Sequence, residues 1–421
     1  MTRSLEPERA RSSVRAVPAH VDVAIVGGGL AGCALAAALG RAGIEVVVLE
    51  RQPSWQWRAG GVFSSPVTMD ALRRAGIDEA ALARAARPIP AMRLETPGGA
   101  VVRLTYGAET GGPSAVGFDR SGLDGLLEAH AVDAGAQIRR GVAVEGVDLG
   151  EPRSVLHTRT AAGPETISCR LVVGADGAHS IVARSTGVAR PTRLPERVGL
   201  SYHLADSRPD TPHDARLRVF DGGYVGIAPV PGRRVNIGIV LGPSWRGRLA
   251  RDGAAATADA VLAAIPAAED DPATWLSAER CDHVAGASPL GGRVTRRAGP
   301  GWFLVGDAVG FLDPFTGEGL HRALTSTELA SAAIRAALHA HARAGDAAAA
   351  YDLAMRRRFA AKDTVSSLVQ AFLARPAPFE YAARRLAARP DVRATMGLVM
   401  GDLVPASRGL DPRFLASLLA P

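Results

Sequence analysis

The stretch VDVAIVGGGLAGCALAAALGRAGIEVVVLER, residues 21–51, constrains this chain more than any other. An apolar, β-branched run from Val21 to Val26 meets a cluster of glycines. An alanine-rich helical segment follows, and a second apolar strand, Glu45 to Leu49, leads to Glu50. Gly27, Gly29 and Gly32 stand at GxGxxG spacing in the strand-turn-helix setting that gives the motif its meaning. The first glycine permits a tight turn, the second lets backbone approach a pyrophosphate, and the third lets the helix lie close on the strand. Phosphates then rest at the helix N-terminus, where unpaired N–H groups and the macrodipole favour negative charge. A carboxylate at Glu50 accepts hydrogen bonds from ribose hydroxyls and repels a 2′-phosphate. A dinucleotide is therefore expected here, with NAD and FAD not separated by these residues alone. The bland alternative, a glycine-rich turn beside a surface glutamate, does not require the succession strand, turn, helix, strand, carboxylate.

The rest of the composition sets bounds. With 421 residues, 22% charged and 47% apolar, the chain is an ordinary globular protein with room for two domains. The net charge of +7 comes almost wholly from scattered arginines, Lys362 being the only lysine, so no phosphate-tracking stripe forms and nucleic acid is not an expected partner. Cys33, Cys169 and Cys281 lie far apart, without metal-type spacing, so no metal is expected and a reducing cytoplasm fits. Residues 1–19 are arginine-rich but lack an apolar core, which reads as a loose tail and not a secretory signal.

Two later stretches have the same strand-to-turn design. RLVVGADGAHSIVARSTG, residues 170–187, is an apolar strand entering a turn at Asp176-Gly177, with a helix starting at Ser180. GWFLVGDAVGFLDPFTGEGLHRALTSTELASAAIRAAL, residues 301–338, is a strand ending on Gly306-Asp307, a loop, and a long helix. That helix carries Leu320, Ala323, Leu324, Thr327, Ala330, Ala333 and Ile334 on one side. Strands so distant in sequence build one doubly wound core only if an insertion separates them. The expected fold class is α/β: a Rossmann-like doubly wound domain over 20–90, 117–190 and 285–345, interrupted by an antiparallel β-sheet domain over 91–116 and 191–284. The sheet is read from VGLSYHLA (198–205), ARLRVFDGGYVGIAPVPG (215–232), RVNIGIVLG (234–242) and a hairpin, MRLETPGGAVVRLTY (92–106). Residues 346–421 read as a helical cap, with contact to a membrane surface as the lesser alternative.

With three motifs in this order over residues 20–340, the chain resembles a known family. These are the FAD-dependent oxidoreductases that include para-hydroxybenzoate hydroxylase and other aromatic monooxygenases, geranylgeranyl reductases and flavin-dependent halogenases. The resemblance implies that Gly27, Gly29, Gly32 and Glu50 hold the ADP half of FAD, with Arg120 along the cofactor and Arg51 and Arg58 also among the cofactor-binding residues. It implies that Asp307, after Gly306, bonds the ribityl chain, and that Asp176 holds the FAD region and a transiently bound NAD(P)H. Without the resemblance, Asp307 reads as a helix N-cap and Asp176 as part of a plain turn. Pro314, Gly317, Glu318, Gly319 and Leu320 would face the flavin ring, the free N–H groups of residues 317–320 favouring the reduced anion. Glu318 itself should turn its side chain away.

The reaction is less constrained. The resemblance admits a monooxygenase acting through a flavin C4a-hydroperoxide with molecular oxygen, an alkene reductase on an isoprenoid-like substrate, and a halogenase; a non-catalytic flavoprotein is the reading outside catalysis. Halogenases of the family use a lysine near the substrate and a WxWxIP motif, and neither Lys362 nor WQW at 55–57 stands where they require it. Val309-Gly310 resemble the reductases, whereas Gly226 stands where their sheet motif carries tryptophan. The expectation is a monooxygenase acting on a bulky, apolar aromatic or polyketide-like molecule in secondary metabolism. Gly222, Gly223, Gly226 and Gly238 would leave it room, with Arg216 and Arg218 the pocket's charges. Tyr202, His203, Tyr224 and His321 are the candidate acid–base residues, and strand alternation allows only one of Tyr202 and His203 to reach the pocket.

Overall fold

The computed structural model describes residues 20–107, 112–192, 195–266, 275–311, 313–339 and 344–419. The tail expected over 1–19 lies outside them. In chain order, the strands that build the two main sheets are β1 (His20–Val26), β2 (Val46–Glu50), β3 (Ala91–Glu95), β4 (Val101–Thr105), β5 (Gln137–Arg140) and β6 (Gly163–Gly174). They continue with β7 (Arg197–Ala205), β8 (Ala215–Phe220), β9 (Gly223–Val230), β10 (Arg234–Leu241), β11 (Ala285–Leu290) and β12 (Trp302–Leu304). The helices that matter here are α1 (Leu30–Gly40), α2 (Arg120–Asp133), α3 (Ile181–Ser185), α4 (Arg246–Ala263) and α5 (Gly319–His339). The last four are α6 (Ala344–Leu373), α7 (Pro376–Ala388), α8 (Pro390–Met400) and α9 (Pro412–Leu419).

The first sheet has eight strands: its central five run β12-β6-β1-β2-β5, all parallel, and residues 143–148, 154–160 and 298–299 extend it by antiparallel pairing. β2, β12, the end of β6 and most of β1 read as apolar runs because helices bury both faces. Val23, Ala24, Ile25, Val47, Val48, Val172, Val173 and Leu304 are fully or almost fully buried. On α5 the residues facing this core are Leu320, Ala323, Leu324, Thr327, Ala330 and Ile334, with Ala333 half-buried at the edge, as the sequence pattern requires. Cys33 and Cys169 are buried here, and burial pushes each thiol up to about 12, so both pack as small apolar side chains.

The second sheet runs β11-β7-β10-β9-β8-β3-β4 and is antiparallel except where β8 pairs parallel with β3. Because β11 pairs with β7, residues 285–290 belong to this sheet, and the boundary expected at 285 moves to after Leu290. The Gly/Pro-rich sequence GASPLGG hides that strand. Residues directly opposite in a ladder share a face, which separates Tyr202, Leu200, Ile227, Ile237 and Ile239 from His203, Ser201, Asn236, Gly238 and Gly226. The first set packs beneath α4, against Ala258, Val261, Leu262 and Trp275. The sequence reading did not foresee that helix: glycines at 247 and 253 interrupt its pattern, and Gly253 breaks it with φ +78°.

The opposite, inner face is shared. At the β3–β4 end, Leu94, Val102, Leu217, Val219 and Tyr224 meet Phe379, Ala383 and Leu386 of α7 and Val392 of α8. A Cβ on Gly397 would lie 2.1 Å from the Thr105 carbonyl, so α8 approaches β4 more closely than any other residue permits. The rest of the inner face looks toward the turns that follow β1, β6 and β12.

Candidate functional site

Those three turns converge. Gly27 takes φ +105°, and a Cβ there would sit 2.5 Å from the carbonyl of Ala175, at the end of β6. A Cβ on Gly32 would come within 1.9 Å of the Gly27 carbonyl, which explains the third glycine of the motif. Gly29 has nothing within 4 Å of its missing side chain, so its backbone faces an open cleft at the start of α1. At the end of β2 the buried Glu50 carboxylate is already positioned: Gly28 N–H donates to Oε2 and Gln52 N–H to Oε1, both at 2.9 Å. The half-exposed Arg58 lies 3.9 Å from Oε1, while Arg51 is exposed.

After β12, Gly306 (φ +61°) and Asp307 form a 3-10 turn over Gly306–Val309. The Asp307 side chain caps nothing, and the N-cap position of the turn is Val305. Its carboxyl is solvent-accessible yet deep in the cleft, where desolvation raises its pKa against the opposing pull of Arg120 and Arg322. Arg120 opens α2 and spans the cleft wall, donating to the Gly61 carbonyl at 2.8 Å and to Asp124 at 3.0 Å. Asp176, by contrast, is bonded at a helix start: Ser180 is the N-cap of α3, accepting from Ala183 N–H, and Asp176 Oδ2 accepts from Ile181 N–H at 2.6 Å, while Oδ1 has no partner among the described residues.

The loop before α5 is built for a tight approach. Gly317 takes φ +65°, and a Cβ on it would clash with the Phe63 ring at 2.6 Å. Its amide is already used by the Pro314 carbonyl at 3.1 Å, so it is not one of the free donors expected over 317–320. The amides of Gly319 and Leu320 remain, because the first residues of a helix have no intrahelical acceptor. Gly319 looks onto open space, Leu320 is buried beneath Gly61, and Pro314 is exposed. Glu318 turns away toward Arg322 and Lys362, as expected.

Residues 20–362 match the family described as FAD binding domain. The chain belongs to the FAD binding domain family. Among curated members, a menaquinone reductase of Mycolicibacterium smegmatis is 29% identical over 323 residues, covering 74% of this chain and 76% of that one. A digeranylgeranylglycerophospholipid reductase 2 of Methanothermobacter thermautotrophicus is 26% identical over 357 residues, covering 80% and 83%. A solved geranylgeranyl bacteriochlorophyll reductase-like protein of Thermoplasma acidophilum shares the fold at TM-score 0.75 and 20% identity, over 95% of this chain and 98% of that one. The chain is an FAD-dependent oxidoreductase, and NAD(P)H is the donor typical of this family.

The residues present fit that cofactor. The Gly27–Gly32 turn leaves open backbone where a pyrophosphate needs it, Glu50 is held in place for a ribose, and Asp307 presents a carboxylate that no protein group occupies as a cap. Among the described residues no helix is long and apolar enough to cross a membrane, and no cluster of ligating side chains could hold a metal ion.

The four acid–base candidates scatter. Tyr202 lies on the outer face, packed beneath α4 with the Arg280 guanidinium 4.9 Å over its ring, and cannot reach the cleft. His321 is buried in α5 and turned toward α6, its Nε2 3.5 Å from Arg358, so it too leaves the cleft. His203 and Tyr224 are on the inner face. His203 Nδ1 meets Asp282 Oδ2 at 2.6 Å and its ring lies 4.4 Å from Trp57; burial pulls its pKa below the usual value, Asp282 opposing. Tyr224 donates to Asp313 Oδ1 at 2.6 Å, and Arg197 holds Oδ2 at 2.7 Å. Arg216 and Arg218 are on the outer face, paired with Glu95, and do not charge the cleft. Gly222 and Gly223 leave no room either, being packed on Ser244 and Phe220, whereas Gly226 and Gly238 meet nothing closer than 3.7 Å.

Sequence reasoning missed Asp313, Arg197, Asp282 and Trp57. Asp313 had a signal, an acid directly before the proline of the flavin loop. Asp282 had none, since only the pairing of β7 with its neighbours brings it to His203.

Proposed function

We propose that the chain is an FAD-dependent reductase that saturates carbon–carbon double bonds of a bulky, apolar, isoprenoid-like substrate. The observation that carries this reading is the inner face of the second sheet beside the flavin loop. Gly226, Gly238 and Ala287 make a floor of small residues there, Gly199 and Ala285 lying under Leu290 and Trp57, and its arginines, Arg197 and Arg234, each sit on a carboxylate, Asp313 or Asp119. Such a floor takes a wide, uncharged molecule. The names of the two curated relatives, reductases of menaquinone and of a digeranylgeranyl lipid, are in line with it.

When bound and reduced, FAD supplies the hydride. The chain's residues orient it through the Gly27–Glu50 segment, Asp307 and the α5 amides, and the sheet excludes water from the other side. Tyr224 stays protonated, burial being the main cause and Asp313 adding to it, so it holds a proton at the edge of the floor.

A second reading, oxygen insertion into an aromatic molecule, is favoured by His203. Burial lowers the pKa of its imidazole, Asp282 opposing, and the ring lies on the inner face, where it could take a phenolic proton. One pair of assays separates the two. Reduced holo-protein given an isoprenoid lipid or quinone without oxygen should reoxidise its flavin and return a product heavier by one H2 per double bond. Product heavier by one oxygen atom, formed only with oxygen and NAD(P)H, would instead establish the second reading.

A further inference from the structure

Lys362 is the chain's only lysine, and it is 3% exposed in the middle of α6. A buried ammonium is costly unless acceptors surround it. Its Nζ donates to the Val399 carbonyl at 3.0 Å and to that of Met400 at 3.3 Å, and it lies 2.7 Å from Asp402 Oδ1 and 3.7 Å from Glu318 Oε2. Val399 and Met400 close α8, and a cation is favoured at a helix C-terminus. Asp402 takes φ +60°, a left-handed setting rare for residues other than glycine. That backbone brings its carboxylate onto Lys362, although Oδ2 has no partner among the described residues.

The other end of the contact is the start of α5. The Glu318 carbonyl accepts from Arg322 N–H at 2.9 Å, which makes Glu318 the residue that caps the helix. A carboxylate at such a place is attracted to the free N–H groups of the first turn. Here it is drawn the other way, to Arg322 Nη1 at 3.3 Å, Ser366 Oγ at 3.5 Å and Lys362. The amides of Gly319 and Leu320 stay open toward the cleft.

We infer that Lys362 is a positioning residue for the FAD site: it draws the Glu318 carboxylate off the N-terminus of α5 and, with the same ammonium, fastens the end of α8 to that helix. The inference rests on the FAD assignment and is independent of the substrate. The charged and titratable groups around the pair are Arg322, Asp363, Asp402, His321 and Arg358. Asp363 is bonded to Arg322, and Asp402 to Lys362, so Lys362 is the cation that answers Glu318 from the α6 side. Without it, Oε1 keeps Ser366 and an Arg322 that Asp363 shares, Oε2 loses its cation, and the amide set that the reduced flavin's negative charge would use becomes the competing place for the carboxylate.

The test uses FAD-loaded protein and no substrate. Midpoint potentials of the bound flavin are measured for wild type, Lys362→Met, Glu318→Gln and the double variant. Lys362→Met should lower the potential, the double variant should restore it, and Glu318→Gln alone should leave it unchanged. An unchanged potential in Lys362→Met, or a lowered one that Glu318→Gln does not restore, overturns the inference. If Lys362→Met does not retain FAD, Glu318→Gln decides: a raised potential would show that the carboxylate already presses on the ring and would refute the positioning role. Limited proteolysis checks the fastening, with faster cleavage over residues 401–411 expected in Lys362→Met and not in Glu318→Gln; equal cleavage in both removes that half. Because substrate enters neither measurement, failure here is distinct from failure of the alkene reading.

Discussion

Tyr224 on β9 donates its hydroxyl to Asp313, the residue that opens the flavin loop, over 2.6 Å. The contact fastens the second sheet to the loop before α5, and Arg197 closes it from β7 at 2.7 Å while also donating to Gln370 of α6 at 2.6 Å. Tyr224→Phe removes one bond of this joint and leaves Asp313 with Arg197 and the Phe315 amide. A buried acceptor losing one partner should cost about 1–3 kcal/mol, seen as a lower melting temperature. FAD affinity should be nearly unchanged, and single-turnover flavin reoxidation by substrate should slow if Tyr224 holds the proton.

The glycines of the first motif should separate by variant. In Gly32→Ala the new methyl meets the Gly27 carbonyl, and overpacking of this kind costs roughly 1–3 kcal/mol, lowering the stability of the apo-protein as well as its FAD affinity. Gly29→Ala meets nothing in the chain, so apo stability should hold while FAD affinity falls. Thermal melts with and without FAD read both.

Asp307 offers a test with a definite sign. Its folded pKa is raised, so in the apo-protein the native state holds a proton more tightly than the unfolded chain, and stability falls as pH rises past the ordinary value of 3.8. Asp307→Asn should therefore melt no lower than wild type at neutral pH without FAD, the difference closing in acid. With FAD the order should reverse, because the variant lacks the carboxylate expected to bond the ribityl chain.

His321 runs the other way. Burial lowers its pKa to about 4, so the unfolded chain takes up a proton between the ordinary value of 6.5 and that value, and stability is lost as pH falls through the interval. At 1.36 kcal/mol per pK unit the loss amounts to about 3 kcal/mol. His321→Gln should flatten the acid limb of a plot of denaturation midpoint against pH. An unchanged limb would mean that the imidazole is not held neutral.

The cofactor half of this site was legible because its physics is local. A turn at Gly27 and a carboxylate at Glu50 follow from spacing along a few dozen residues, and the apolar face of α5 follows from its period. The acid–base half was not, because it depends on which face each strand turns inward. Alternation correctly separated Tyr202 from His203 but could not say which face α4 would cover. His321 looked well placed by its position at the start of α5, yet a helix residue's direction is set by the neighbour it meets, here α6. Arg216 and Arg218 misled for the same reason: their partner Glu95 comes from a strand paired parallel across the insertion.

The order of the first sheet also bears on how the chain is made. The Gly27 turn rests on Ala175, and β6 is flanked on its far side by β12, so the phosphate cradle emerges from the ribosome long before the strands that shape it. Residues 154–160 already pair with the first half of β6, but until residue 304 has been synthesised its end, Val172–Gly174, has no neighbour on that side, and an exposed strand edge invites pairing with other chains. Expression yield should therefore depend on what shields the growing chain during translation of the inserted sheet, and fragments ending before β12 should aggregate even though they contain every glycine of the first motif.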